Sequence, residues 1–361
     1  MVSLRGKLSS ILPDTLWIIK PENRRYLSGF KAGDPQLTES SGSLLINEAN
    51  SLLITDSRYI IEARKESIDF DVVTIKNGFM EEFPYLLSRI GAIKLGFEED
   101  YLTWDLHRQL TKKLKEKSLP VRMTPLKGLV DRMREVKDSY EIKTMAASAG
   151  LMSKILAEVI DDMKPGRTEA EIAWQIEGMA REAGAEDLAF PSIVASGPNS
   201  ALPHAVPTKR KIRSGEPVIL DVGVKLDGYS CDMTRTVFLG TAPPKFKKIY
   251  RIVRRAQLAA LEKIRPGIES TVPDSAAREL IADAGFGDCF RHALGHGVGM
   301  ATHEDPRLGP RKPVILQEGM VVTVEPGIYI PGRGGVRLEE MVVIEKGGPR
   351  ILTKDDHFYH F

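Results

Sequence analysis

Apolar residues in the first third of the chain fall in short blocks that switch between strand and helix spacing. Ser43–Thr55 reads SLLINEANSLLIT, two apolar strands hinged on a polar turn at Asn47–Asn50. Arg58–Lys65 opens a helical pattern, and Phe70–Ile75 is a further strand. Leu102–Lys117 sets apolar residues at helical spacing in a strongly charged stretch. Between Leu119 and Val130, Pro120, Pro125 and Gly128 break the regular pattern and mark a linker or an edge strand. The pattern predicts a small mixed α/β domain over 1–125, a linker over 126–137 and a larger domain over 138–361.

Within 138–361 the pattern repeats. Met163-Lys-Pro-Gly-Arg and Ile264-Arg-Pro-Gly-Ile each separate two helical stretches, and Pro165/Pro266 and Gly184/Gly285 share an offset of 101 positions. Thr168 and Glu171 have the spacing of a capping box, which satisfies free amides at a helix start. The copies cover about 138–240 and 246–345, and each closes on a β-rich hairpin. The first pairs Val218-Ile-Leu-Asp-Val-Gly-Val with Tyr229-Ser-Cys-Asp-Met-Thr-Arg-Thr-Val-Phe. The second pairs Val321-Val-Thr-Val-Glu with Val336-Arg-Leu-Glu-Glu-Met-Val-Val-Ile. Every arm carries a carboxylate among apolar neighbours, a costly arrangement that asks for a reason.

A four-residue loop over Lys225–Gly228 would pair Val224 with Tyr229 and set Asp221 opposite Asp232. Opposed side chains have Cβ atoms about 4.5–5.5 Å apart, where like charges repel. A divalent cation relieves that repulsion, since Mn²⁺, Co²⁺ and Zn²⁺ accept carboxylate oxygens. The plainer alternative has one Asp facing solvent or capping a turn. In the second hairpin Glu325 and Glu339 are separated by 14 positions, an even number, so a turn centred near Gly332 opposes them on one face. Arg337 shares the face of Glu339 and Glu340 takes the other, although spacing alone leaves open which glutamate looks inward.

Of seven histidines, His292, His296 and His303 fall within Arg291-His-Ala-Leu-Gly-His-Gly-Val-Gly-Met-Ala-Thr-His. Gly295, Gly297 and Gly299 let the backbone approach a ligand closely. A single histidine in such a stretch is commonly structural; three, between two acidic hairpins, point to a metal site. The alternate glycines lack the strand-to-helix setting and the downstream acid of a dinucleotide fingerprint.

Composition narrows the remaining classes. The chain of 361 residues suits two domains, and 51 Lys+Arg against 49 Asp+Glu give a net charge of +2. That balance carries no electrostatic footprint for nucleic acid or an anionic membrane. Cys231 and Cys289 are too few for a disulfide framework and suit a reducing compartment. The apolar stretch Leu12–Ile19 is broken by Pro13 and Asp14 and does not read as an export signal. A cytoplasmic location is the expectation.

Together these residues resemble the pita-bread metallopeptidases, specifically the Xaa-Pro peptidases (aminopeptidase P and prolidase). Asn23-Arg-Arg-Tyr-Leu-Ser-Gly-Phe and Thr55-Asp-Ser-Arg-Tyr look like the family's N-terminal domain, and Met133-Arg-Glu-Val-Lys-Asp like the start of its catalytic domain. Ser196-Gly with Pro203-His204, the Asp221/Asp232 hairpin, Gly295-His296-Gly297, Thr323-Val-Glu325-Pro-Gly and Val336-Arg-Leu-Glu339 follow in the family's order. The resemblance implies an α/β (α+β) chain, a creatinase-like domain before a pita-bread domain with an internal pseudo-two-fold repeat. It implies two divalent metal ions, manganese first with cobalt or zinc as alternatives. Asp221 would hold one, His296 and Glu325 the other, and Asp232 and Glu339 both, which selects Glu339 over Glu340. Glu325 would also shuttle the proton of an attacking water shared by the metals. His292 or His303 would stabilise the oxyanion, while His204 and Arg337 would bind substrate, a short proline-containing peptide.

The family also suggests a homodimer. Cys231 departs from its usual Ser, placing beside Asp232 a thiol that could be sensitive to oxidation or to the metal supplied. Methionine aminopeptidase shares the five ligands but usually lacks so large an N-terminal domain; creatinase-type enzymes lack the full ligand set. A catalytically silent binding module usually loses at least one ligand, and none is lost here. Whether dipeptides or longer peptides are cleaved stays open.

Overall fold

The computed structural model describes residues 13–34, 36–355 and 357–361; Leu12, which begins the apolar N-terminal stretch, lies outside them. The chain divides into two compact units between Met133 and Arg134. In the first, strand β1 (Thr15–Ile18) leads into helix α1 (Pro21–Ser28). The SLLINEANSLLIT segment forms β2 (Ser43–Asn47) and β3 (Ser51–Thr55). Asn47 Oδ1 closes their turn by accepting from the Asn50 amide at 2.7 Å. Helix α2 (Ile60–Glu66), β4 (Asp71–Thr74), α3 (Phe79–Arg89), β5 (Lys94–Glu98), α4 (Trp104–Glu116) and β6 (Arg122–Leu126) complete the unit.

The sheet order is β4-β3-β2-β1-β5-β6. The pairings of β1 with β5, β5 with β6 and β3 with β4 are parallel, and β2 alone runs against its neighbours. Apolar residues alternate to both faces, so each face has its own core. Trp17, Leu45, Phe83 and Leu110 pack on one side; Leu16, Ile18, Phe30 and Val130 pack on the other. The proline-broken segment supplies edge strand β6. The segment read as a linker over 126–137 is not irregular: it carries α5 (Leu129–Glu135), because Leu129, Val130 and Met133 share an apolar face that packs into the second core.

The second unit opens with α6 (Ser139–Asp162) and α7 (Glu169–Glu182), both starting in complete capping boxes, Asp138/Glu141 and Thr168/Glu171. Strands β7 (Asp187–Leu188), β8 (Ile193–Ser196), β9 (Pro217–Val222), β10 (Val224–Leu226), β11 (Tyr229–Ser230) and β12 (Met233–Phe238) follow. The second copy contributes α8 (Pro244–Leu261), α9 (Thr271–Asp283) and strands β13 (Gly295–Gly297), β14 (Glu304–Leu308) and β15 (Val321–Val324). Strands β16 (Gly327–Ile330), β17 (Gly334–Arg337), β18 (Glu340–Glu345) and β19 (Gly348–Ile351) follow.

The repeat survives in individual backbone bonds. Gly166 and Gly267 sit in their Pro-Gly turns at φ 98° and 88°, a conformation glycine adopts without strain. Their amides donate at 2.9 Å to Ile212 O and Leu316 O, and those residues donate back to Arg167 O and Ile268 O. Each copy thus docks its helical turn on the strand entry in the same way, and the two halves bring their acidic hairpins to one centre. No helix among the described residues is long and apolar enough to cross a membrane.

Candidate metal centre

The first acidic hairpin has a register two residues away from the expected one. Asp227 and Gly228 take φ 45° and 83°, so Leu226 pairs with Tyr229 across a two-residue turn rather than a four-residue loop. Asp-Gly is favoured there because both central residues of such a turn need positive φ. The same register sets Asp221 opposite Thr234, not Asp232. A slip of one residue would have turned the carboxylates to opposite faces; a slip of two keeps them on one. Asp221 and Asp232 are therefore diagonal neighbours and line the same cavity. The ladder pauses at Gly223, where a Cβ would fall 2.2 Å from the Cys231 carbonyl oxygen.

The second hairpin keeps the expected register. Gly327 pairs with Arg337 on one side and Val324 with Glu340 on the other, so the ladder sets Glu325 across from Glu339. Glu339 lines the cavity. Glu340 turns away, meeting Arg235 at 3.3 Å and accepting from the Thr353 hydroxyl.

His296 arrives on β13. Its flanking glycines are required: a Cβ on Gly295 would lie 2.0 Å from Thr323 O, and one on Gly297 2.4 Å from Asp305 O. The Nδ1 of His296 lies 3.0 Å from Gly297 O, which favours a proton there and leaves Nε2 as a free acceptor. That Nε2 is 3.6 Å from Asp232 Oδ2 and 3.5 Å from Glu325 Oε1. Donor atoms of Asp232, His296 and Glu339 all lie within 4.8 Å of one another. Asp221, Asp232, His296, Glu325 and Glu339 line one cavity of about 430 Å³, together with His204, His292, His303 and Arg337.

Electrostatics say what this cavity needs. Burial, then repulsion from Glu339, Asp221 and Glu325, pushes the Asp232 carboxyl well above the usual carboxylate range. Burial and the charges of Glu325 and Asp221 do the same to Glu339. Burial first, with the Asp221 charge added, pushes Glu325 up to about 8 against the pull of Arg337. Burial also brings His296 down to about 4, holding it neutral. Four carboxylates thus share the wall with four imidazoles, and among the described residues its guanidinium groups are those of Arg337 and Arg307. Carboxylate oxygens and an imidazole nitrogen converging on a charge-deficient cavity fit divalent cations.

Several partners were not visible in the sequence. Thr234 Oγ1 donates to Glu339 Oε2 at 2.7 Å, and Thr323 Oγ1 to Glu325 Oε1 at 3.3 Å. Their one signal was alternation: each threonine stands two positions from a carboxylate on the same face. Tyr329 Oη lies 3.0 Å from His292 Nε2 and accepts from Arg337 Nη1 at 2.9 Å. Burial, followed by the Arg337 charge, brings His292 down to about 4. Glu304, beside His303, is buried and held by Arg134 and by Lys137, the latter at 3.4 Å. The Met133-Arg-Glu-Val-Lys-Asp motif thereby anchors the loop that carries His303.

Arg337 was expected to face substrate, but its donors are engaged in the wall. It pairs with Asp221, donates to Tyr329, reaches Pro203 O at 3.1 Å and Thr234 Oγ1 at 3.1 Å, and is 3% exposed. His204, next to that anchored Pro203, is exposed at the cavity mouth. Cys231 is not the reactive thiol its neighbourhood suggested. It is fully buried, accepts from the Val224 amide at 3.3 Å, and burial pushes its thiol up to about 11.

Arg337→Met should cost about 3–5 kcal/mol in urea unfolding of the metal-free chain, because it leaves Asp221 without a counter-charge. Adding Mn²⁺ should recover much of that loss. An unchanged unfolding midpoint in the metal-free variant would show that the pair contributes nothing.

Comparisons with known proteins cover both units. Residues 143–346 match the model of metallopeptidase family M24, and residues 3–136 match the creatinase/prolidase N-terminal domain. A Xaa-Pro dipeptidase of Pyrococcus horikoshii is 37% identical over 344 residues, covering 95% of this chain and 93% of that one. A structure of a Xaa-Pro dipeptidase from Bacillus anthracis superposes with a TM-score of 0.88 at 34% identity, over 98% of this chain and 95% of that one. A structure of an X-Pro aminopeptidase from Thermotoga maritima gives 0.86 at 34% identity, over 95% and 96%.

Proposed function

Since the chain belongs to metallopeptidase family M24, behind a creatinase/prolidase N-terminal domain, we propose that it hydrolyses the Xaa-Pro bond at the N-terminus of short peptides. One observation carries the proposal: five metal-type donors and three further histidines line a single cavity that has an apolar flank. Phe190, Pro191, Val206 and Pro207 form that flank, a surface suited to a pyrrolidine ring. The relatives named above include both a dipeptidase and an aminopeptidase, so the accepted peptide length is left to experiment.

In this reading Asp221, Asp232, His296, Glu325 and Glu339 would hold two divalent cations, manganese first and cobalt or zinc as alternatives. Five donors, four of them carboxylates able to bridge, exceed what one tetrahedral ion takes. Bound there, the metals would acidify a shared water and polarise the scissile carbonyl. The chain's own groups do the rest. Glu325, held as a carboxylate when the metals are bound, takes the proton of the attacking water and passes it to the leaving proline nitrogen. That nitrogen has no N–H of its own and needs this proton to leave as an amine.

His292 has its Nδ1 2.8 Å from Ala293 O and its Nε2 near Tyr329, so both nitrogens are engaged. We therefore assign the oxyanion to His303, whose ring lies 4.3 Å from that of His296, and give His292 the task of ordering Tyr329. Losing such a donor typically costs about 10²–10³ in rate. The acidic cluster attracts the free α-amine of the substrate, which makes the enzyme an exopeptidase. His204 meets the residues on the proline side. Arg337 acts from behind, fixing Asp221 and the Pro203 loop. The catalytic domain begins at the Asp138 cap, and the family resemblance makes a homodimer the expected assembly.

The test is a chelator-stripped protein given Mn²⁺, Co²⁺ or Zn²⁺ singly and assayed on a Xaa-Pro dipeptide, a Xaa-Pro-Yaa tripeptide and a Met-Ala peptide. Metal-dependent cleavage of one or both proline substrates is expected. Turnover of Met-Ala alone would move the chain to methionine aminopeptidase chemistry, and no turnover at all would overturn the peptidase reading.

A further inference from the structure

The peptidase cavity uses nothing from the first unit's own crevice. In that sheet β1, β3, β4, β5 and β6 point one way. From β1 the chain proceeds to β2 on one side; from β5 it proceeds to β6 on the other. The neighbouring parallel strands β1 and β5 are thus a topological switch point, where connections diverge and leave a crevice outside the carboxyl ends of the strands. A cavity of about 470 Å³ lies at that place. Trp17 and Ile19 reach it from the end of β1, Ile54 from β3, Ile75 from just past β4, and Tyr101 and Leu102 from just past β5.

Its size is within the range of small-molecule pockets, about 300–1,000 Å³. Its chemistry is selective. Trp17 is 1% exposed, and its indole Nε1 has no hydrogen-bond partner among the described residues. A buried donor left that way costs about 1–3 kcal/mol, which an acceptor on a ligand would recover. Two helix starts border the cavity, Gly78-Phe79 at α3 and Thr103 at α4, and helix amino ends favour acceptor groups. The two carboxylates in the lining are already matched by cations. Asp34 pairs with Arg24 at 3.2 Å, and Asp56 with Arg58 at 2.7 Å. No lysine or arginine is among the described lining residues, so an anionic ligand would meet only the partial charge of the helix starts, and a cationic one only carboxylates already paired.

We propose that the first unit holds a second small-molecule site, in this crevice, for a neutral and largely apolar ligand bearing one hydrogen-bond acceptor. The aromatic wall suits a ring: Trp17 stacks on Phe79 with centroids 5.7 Å apart and lies 4.7 Å from Phe83. The amide of Trp17 plays no part; the specificity resides in its indole N–H.

Three probes of nearly equal shape test this on the full-length chain by calorimetry and ligand-observed NMR: acetophenone, its hydrocarbon isostere cumene, and benzoate. Acetophenone should bind saturably with a dissociation constant below about 1 mM, and benzoate at least about tenfold more weakly. Ile75→Trp, which fills the half-buried rim, should abolish acetophenone binding while peptidase turnover stays unchanged. Trp17→Phe keeps an aromatic ring but removes the N–H. It should weaken acetophenone about fivefold and leave cumene unchanged. No saturable binding, or binding untouched by Ile75→Trp, would overturn the site. Equal loss of both neutral probes in Trp17→Phe would overturn the assignment of the indole as its donor.

Discussion

Asp232→Asn should lower kcat/KM on a Xaa-Pro peptide by at least about 10³, since metal-derived charge stabilisation is worth several kcal/mol and each 1.4 kcal/mol is about tenfold. Bound metal should fall from two ions per chain to at most one. The same substitution should strengthen the metal-free fold. Asp232 is 5% exposed, and its burial and its acidic neighbours Glu339, Asp221 and Glu325 all oppose its charge. An amide of equal size removes that opposition and should stabilise the metal-free chain by roughly 1–4 kcal/mol. Loss of activity with gain of stability separates a ligand from a structural residue, which would lose both. Elemental analysis, kinetics and urea unfolding give the three readings. A variant that retains two ions and full turnover would remove Asp232 from the centre.

Asp232 also shows what the chain discloses before it is folded. The carboxylates are legible because charge among alternating apolar residues is costly in any sheet. Their face is legible because alternation has period two, and an error of two residues leaves it intact. The register itself departs from the four-residue loop over Lys225–Gly228, since Leu226 pairs with Tyr229. The local chemistry of Asp227-Gly228, where both residues take positive φ, closes a tighter turn. In the second hairpin no such error arose: its turn is centred on Gly332, as the even spacing of Glu325 and Glu339 requires.

What stayed hidden is whatever depends on contacts that only the folded chain makes. Arg337 reads as a substrate clamp from its face alone. Its engagement with Asp221 and the Pro203 carbonyl requires strands from the other half of the repeat to arrive beside it. Cys231 reads as a reactive thiol from its neighbour. Only the folded chain shows that it is enclosed with the Val224 amide. Helix α5 was hidden for another reason: Pro120, Pro125 and Gly128 announce a break, and the apolar face that follows them is only one turn long.

Removing the metals should abolish turnover and also reverse the sign of the pH dependence of stability. In the metal-free chain Glu325 has its carboxyl raised from 4.5 to about 8 by burial and by Asp221. Its stabilising contribution is complete below pH 4.5 and is lost as pH rises through about 8. Asp232 and Glu339, also raised, act in the same direction. His292 and His296 are lowered from 6.5 to about 4, so their contribution is complete above pH 6.5 and is lost as pH falls through about 4. Between pH 6.5 and 8 the histidine contribution is therefore flat and the carboxyls set the slope. The metal-free protein should weaken across that interval by up to about 1.4 kcal/mol per pH unit for each carboxyl that remains protonated. With Mn²⁺ present the ligands are held as carboxylates and protons compete with the metal, so stability should rise over the same interval. Excess metal at 100 times its dissociation constant adds about 2.7 kcal/mol. Urea unfolding at pH 6.5 and 8, with EDTA and with Mn²⁺, measures both slopes. Parallel slopes would mean that the buried carboxylates do not belong to the metal centre.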